Sequence, residues 1–143
     1  MSSINDASSS SASGFAAMRV AFEGFRQRDE IPGYLARARC FAFPSDYDIW
    51  GLVLVEALVS GVPCVASINS GATLDLIRDG ETGFRIDTAD PTQLTESLAR
   101  LVDDPALAQR IGEAGRRFVT ENITIPKSAA GMVAAVRAVM RRT

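Results

Sequence analysis

No histidine occurs among the 143 residues of this chain. That single absence excludes Ser-His-Asp and Cys-His catalysis, imidazole acid–base chemistry and histidine-ligated metal centres. Cysteine is nearly as scarce. Cys40 and Cys64 are the only two, too few for a zinc site or a disulfide framework. Each lies in an apolar run, Cys-Phe-Ala-Phe and Pro-Cys-Val-Ala, where a thiol serves as a small buried hydrophobe. An excess of positive charge is missing as well. Fifteen Lys and Arg face seventeen Asp and Glu, net −2, which argues against a nucleic-acid partner. The start, Met-Ser-Ser-Ile-Asn-Asp-Ala, has neither the cationic head nor the apolar stretch of a signal peptide. The most hydrophobic stretch, Gly51 to Ile68, carries Glu56 and Pro63, so it suits a core element better than a bilayer span. A cytoplasmic protein is expected.

What is present fits one globular domain: 47% hydrophobic and 22% charged residues. Residues 1–18 read as a disordered Ser-rich tail and 19–143 as the folded part. Val20 to Phe25 reads as a strand and Ile31 to Arg39 as a helix with Pro32 in its first turn. Cys40 to Phe43 reads as a strand buried on both faces, stopped by Pro44. A loop to Trp50 leads into a helix over Gly51 to Ser60. Strands follow at Pro63 to Ser67 and Gly83 to Ile86, with a short helix at Thr73 to Arg78 between them. Asp90 caps a helix that Pro91 opens, and two more helices run over Pro105 to Val119 and Pro126 to Arg142. This alternation predicts an α/β fold: a parallel sheet of about four strands with helices on both faces.

The usual phosphate motifs are missing; there is neither a G-x-G-x-x-G turn nor a P-loop. The helix Gly51-Leu-Val-Leu-Val-Glu-Ala-Leu-Val-Ser60 is apolar nearly all round, which predicts an interior position, yet Glu56 lies in its middle. A buried carboxylate needs a partner, a path to solvent or a ligand. Asp48 stands eight residues upstream, about 12 Å of helical rise, too far for both acids to grip one atom or one metal ion. They can instead bracket an elongated ligand. Between them the free N–H groups around Gly51, Leu52 and Val53 form an anion site at a helix start. A sugar–diphosphate–nucleoside has that shape. The plainer alternative is that Asp48 only caps the helix and Glu56 only pairs with an arginine.

Phe43-Pro-Ser followed by Asp48-Ile-Trp-Gly-Leu-Val-Leu-Val-Glu56-Ala resembles the donor-binding signature of the group 1 (family 4) retaining glycosyltransferases, two glutamates separated by seven residues. Gly61-Val-Pro-Cys-Val-Ala-Ser67 and Gly71-Ala-Thr-Leu-Asp-Leu-Ile-Arg-Asp-Gly-Glu-Thr-Gly-Phe84 resemble the blocks that follow it, and the likeness extends from about Val20 to about Val119. The resemblance implies a partial C-terminal domain of a GT-B fold, Rossmann-like, that binds a nucleotide-diphosphate sugar and transfers its sugar with retention to an acceptor. It implies no cofactor and no metal. Carried over, Asp48 replaces the first glutamate and contacts the transferred sugar, and Glu56 holds the ribose hydroxyls. These two stand as the catalytic pair. The backbone of Trp50, Gly51, Leu52 and Val53 receives the diphosphate. Asp48 is one methylene shorter than the family's glutamate. The family's phosphate-clamping lysine has no counterpart, since the single lysine is the distant Lys127. The N-terminal acceptor domain of the family is also absent. The chain is therefore expected to be a truncated or remnant product, or one part of a split enzyme whose partner chain supplies the N-terminal domain, and inactive alone.

Two weaker features remain. The backbone of Gly71 and Ala72, just after a strand, either lines the same cleft or forms a plain loop. The last helix carries Arg137, Arg141 and Arg142 near its end, an arrangement compatible with peripheral attachment at the inner membrane face, and its apolar face around Met132, Val136 and Val139 lacks an evident cover.

Overall fold

The computed structural model describes residues 20–141, so the expected disordered tail at 1–18 lies outside the described residues. Three short strands form one parallel sheet in the order β1 (Phe41–Phe43), β2 (Cys64–Ser67), β3 (Phe84–Ile86). Phe41 stands opposite Cys64, and Ala66 opposite Arg85. The helices are α1 (Ile31–Leu35), α2 (Leu52–Val59), α3 (Gly71–Leu76), α4 (Pro91–Asp103), α5 (Pro105–Asn122) and α6 (Ile125–Met140). The expected α/β parallel architecture is what the chain adopts.

The three long helices start alike. Asp90, Asp104 and Thr124 accept hydrogen bonds from the N–H of Thr92, Leu107 and Lys127, and a proline occupies the first turn each time. On β2 every residue is buried, and alternate side chains serve two cores. Cys64 and Ala66 pack with Leu54, Ala57 and Leu58 of α2 and Leu76 of α3. Val65 faces the other way, with Phe84, Ile86, Leu101 of α4 and Ile111 of α5. Helix α5 reaches both cores, through Ile111 and Val119. Its Gly112 lies against the Gly61 carbonyl, leaving no room there for a Cβ, so α5 rests directly on the turn that ends α2.

Four expectations are corrected. The sheet has three strands among the described residues, because Val20 to Phe25 forms none. Phe22 and Phe25 are 96% and 87% exposed there, and the segment is tied to α1 by side chains: Glu23 accepts from the Tyr34 hydroxyl at 2.9 Å and from Arg26. That polar anchoring replaces a backbone ladder. Second, α1 ends at Leu35 rather than Arg39; Arg26 and Arg37 flank the Tyr34 ring, 5.5 and 5.3 Å from its centre. Third, β1 is not buried on both faces: Ala42 is exposed and Phe41 and Phe43 are half-buried, as befits an edge strand with one neighbour. Fourth, α2 is not wholly interior. Leu54, Ala57 and Leu58 are buried against the sheet and α5, while Leu52 and Val59 face solvent. No single helix among the described residues is long and apolar enough to cross a membrane.

Candidate functional site

The loop from β1 to α2 is held from across the sheet end. Asp48 donates its N–H to the Asn69 carbonyl at 3.1 Å, and its own carbonyl accepts from Gly71 N–H at 3.4 Å. The Trp50 carbonyl accepts from Ala72 N–H at 2.7 Å and from the Ser70 hydroxyl at 2.8 Å. Ser70, Gly71 and Ala72 therefore clamp the segment. Their polar groups serve the loop, and Gly71 opens α3 rather than forming a plain loop. A Cβ on Gly71 would come 2.5 Å from the Ile49 carbonyl, so the close approach requires glycine.

The Asp48 side chain does not cap α2. Its Oδ1 accepts from Trp50 N–H at 2.9 Å, closing a local turn, and the N-cap of α2 is Gly51, with no side-chain cap. Gly51 holds φ at +90°, and a Cβ there would meet the Ser70 Oγ at 2.8 Å and the Phe43 ring at 3.0 Å. Only glycine fits both the backbone angle and the space. The Trp50 N–H is thus already used, whereas those of Gly51, Leu52 and Val53 have no acceptor among the described residues. Three donors of the expected four stand open at the positive end of α2. The helix begins only at Leu52, so just the second half of the Asp48–Glu56 spacing is helical.

Glu56 lies one turn along α2, with its side chain 34% exposed. Arg28 pairs with it, Nε to Oε1 at 3.5 Å, and Arg28 is otherwise 89% exposed. Both the route to solvent and the arginine partner are present, so Glu56 is not a stranded buried charge. Nothing in the spacing of the sequence links Arg28 to Glu56, so which arginine would pair with it is not legible there. Beside the pair opens a largely apolar cavity of about 270 Å³, lined by Arg28, Ile31, Pro32, Leu35, Val55 and Glu56. It joins α1 to α2 on the side that Glu56 faces. Among the described residues no group of three or more carboxylates and cysteines gathers in metal-binding fashion.

The chain is similar in sequence and fold to known proteins. The family model described as "Glycosyl transferases group 1" matches residues 12–118. An MMP alpha-(1->4)-mannosyltransferase of Mycolicibacterium hassiacum is 38% identical over 107 residues, 74% of this chain and 26% of the relative. An N-acetyl-alpha-D-glucosaminyl L-malate synthase of Bacillus anthracis is 31% identical over 109 residues, 76% of this chain and 28% of the relative. The chain thus spans about a quarter of the length of these curated relatives. Among solved structures, sucrose-phosphate synthase from Thermosynechococcus elongatus superposes with a TM-score of 0.72 at 30% identity, covering 87% of this chain and 31% of that one. The Anabaena protein HepE, solved in complex with UDP and glucose, gives 0.71 at 25% identity over 83% of this chain and 33% of its own. With the family model covering most of the chain and the parallel α/β architecture matching that of its solved relatives, this chain belongs to the group 1 glycosyltransferases.

Proposed function

We propose that this chain is the donor-binding part of a retaining glycosyltransferase and holds a nucleoside-diphosphate sugar along the start of α2. The N–H groups of Gly51, Leu52 and Val53 receive the diphosphate, helped by the helix dipole. Glu56 takes the ribose hydroxyls. One helical turn separates it from Leu52, about 6 Å of rise, a span that matches the step from phosphate to ribose. The apolar cavity beside Glu56 takes the base, with Ile31, Leu35 and Val55 against its faces. Asp48, whose Oδ1 is engaged by Trp50 N–H, offers its second oxygen to the transferred sugar. As the glycosidic bond breaks, the developing charge on the leaving diphosphate falls at the open N–H groups, and no metal ion is invoked. That the Anabaena relative was solved with UDP and glucose supports the ligand class.

The observation that carries this reading is the pairing of three open N–H donors with a carboxylate one turn further on the same helix. Calorimetric titration with UDP-, GDP- and ADP-sugars tests it. At least one should bind, and Glu56→Gln should weaken that binding by about 1–3 kcal/mol through loss of charged hydrogen bonds. Unchanged affinity in a variant with intact circular dichroism rejects the ribose role. Failure of the folded chain to bind any of the three overturns the whole reading.

A further inference from the structure

The cavity beside Glu56 is walled mainly by aliphatic side chains, and only three of its lining residues have polar ones: Arg28, Glu56 and Ser60. Two of these are already engaged. The Ser60 hydroxyl gives its proton to the Glu56 carbonyl at 2.8 Å. The Glu56 carboxylate goes to the ribose in the sugar-donor reading above. Arg28 is left. It meets Glu56 as an ion pair through Nε at 3.5 Å, and none of its five N–H groups makes a hydrogen bond among the described residues. Because Nε is the nitrogen in contact, the two terminal NH2 groups stand beyond it without an acceptor. The side chain is 89% exposed, so the pair holds it loosely and a ligand can draw it over the cavity.

A guanidinium donates hydrogen bonds, never accepts them, and stays charged at every working pH. On the edge of a ring it therefore rewards an oxygen. A carbonyl there takes one or both N–H groups of the fork, as the O6 edge of guanine does from arginine in nucleic acids. An exocyclic amino group at the same place turns its own hydrogens toward a cation. The only carboxylate lining the cavity is the one the ribose uses, so it does not rescue that group. The walls of Ile31, Leu35 and Val55 take the face of either ring alike and leave the choice to the edge.

We infer that Arg28 selects the base of the sugar donor: the base carries an oxo group, not an amino group, on the edge away from the sugar, as uracil and the 6-oxopurines do. This deepens the donor-binding reading and rests on it. Calorimetric titration of the full chain with UDP against CDP, and with IDP against ADP, is the test, because within each pair the ring size is constant and oxo replaces amino. In a pair that binds, the oxo nucleotide should bind at least about tenfold more tightly, the scale of one hydrogen bond to a charged group. Arg28→Ala should bring the two within about threefold of each other by weakening the oxo member, and Arg28→Lys, which keeps a charged donor, should restore part of the preference. Since the side chain is exposed, circular dichroism and thermal unfolding of both variants should match those of the native chain. Equal binding within a pair, an amino preference, or an oxo preference that Arg28→Ala leaves unchanged overturns the role of Arg28 and leaves donor binding standing. Binding of none of the four nucleotides overturns donor binding itself, and the role of Arg28 with it.

Discussion

Asp90 commits both oxygens of its carboxylate at the start of α4. Oδ1 accepts from the Thr92 hydroxyl at 2.6 Å and from Thr92 N–H at 3.0 Å, and Oδ2 from the Gln93 amide at 3.2 Å. These bonds, the Thr92 hydroxyl first, hold its carboxyl below the ordinary aspartate value. A carboxyl depressed in the native state adds stability above its unfolded pKa and loses it as pH falls through the lower native value. Asp90→Ala should therefore be less stable than the native chain at neutral pH, and the gap should close as pH falls below the ordinary carboxylate range. Urea unfolding of both proteins between pH 7 and pH 2.5 measures this; a gap that stays constant refutes the linkage. The role of Asp90 is legible from its neighbours, since Asp-Pro before a periodic segment is a start signal with a local mechanism. Arg28 is the opposite case. Its bond to Glu56 is made by tertiary packing of α1 on α2, which no local pattern encodes. Ser70 is similar: its hydroxyl reaches Trp50, twenty positions away. The run Ser70-Gly71-Ala72 was the only available hint, three small residues where a loop must approach closely.

The start of α2 depends on one glycine, because the chain turns there through a left-handed conformation. Gly51→Ala combines a residue ill-suited to φ +90° with a Cβ pressed against the Ser70 Oγ. The cost should be about 1–3 kcal/mol of stability, typical of non-glycine residues held in that region. Denaturant titration reads it, and a cost below a few tenths would show that the turn relaxes freely. Donor affinity should fall in the same variant, since the three open N–H groups are aimed by this turn. Elements with strong periodicity or caps were legible to within a few residues: α4, α5, α6 and the apolar β2. Val20 to Phe25 was not, because a short apolar run becomes a strand only if an edge receives it. Here Glu23 is drawn to Tyr34 and Arg26 instead. The edge position of β1 and the exposed side of α2 were equally unreadable. Apolar runs report what can be buried, whereas coverage depends on which neighbours arrive.

Taken whole, the 143-residue chain leaves the proposed donor site open at its mouth, with Leu52 67% exposed at the start of α2. Turnover also requires an acceptor held in line with the anomeric carbon, positioning worth roughly 7–11 kcal/mol of barrier. No described element faces the α2 start from across a cleft to supply it, and water at an open site weakens each remaining electrostatic contact. This chain assayed alone should therefore bind donor yet give no sustained transfer from labelled UDP-, GDP- or ADP-sugars to lipid or sugar acceptors. Acceptor-dependent transfer that vanishes in Glu56→Ala would refute that expectation. The clamp of Ser70, Gly71 and Ala72 on the segment Asp48 to Trp50 carries a kinetic consequence. Its partners come from opposite ends of the β1–α2–β2 crossover, so they meet only after that non-local closure has occurred. A chain with α2 already helical but the crossover open has N–H groups at a helix start and no turn to aim them. Folding and the birth of the proposed binding site are then a single event, and a nucleotide that fits it would draw the population toward the closed crossover by mass action.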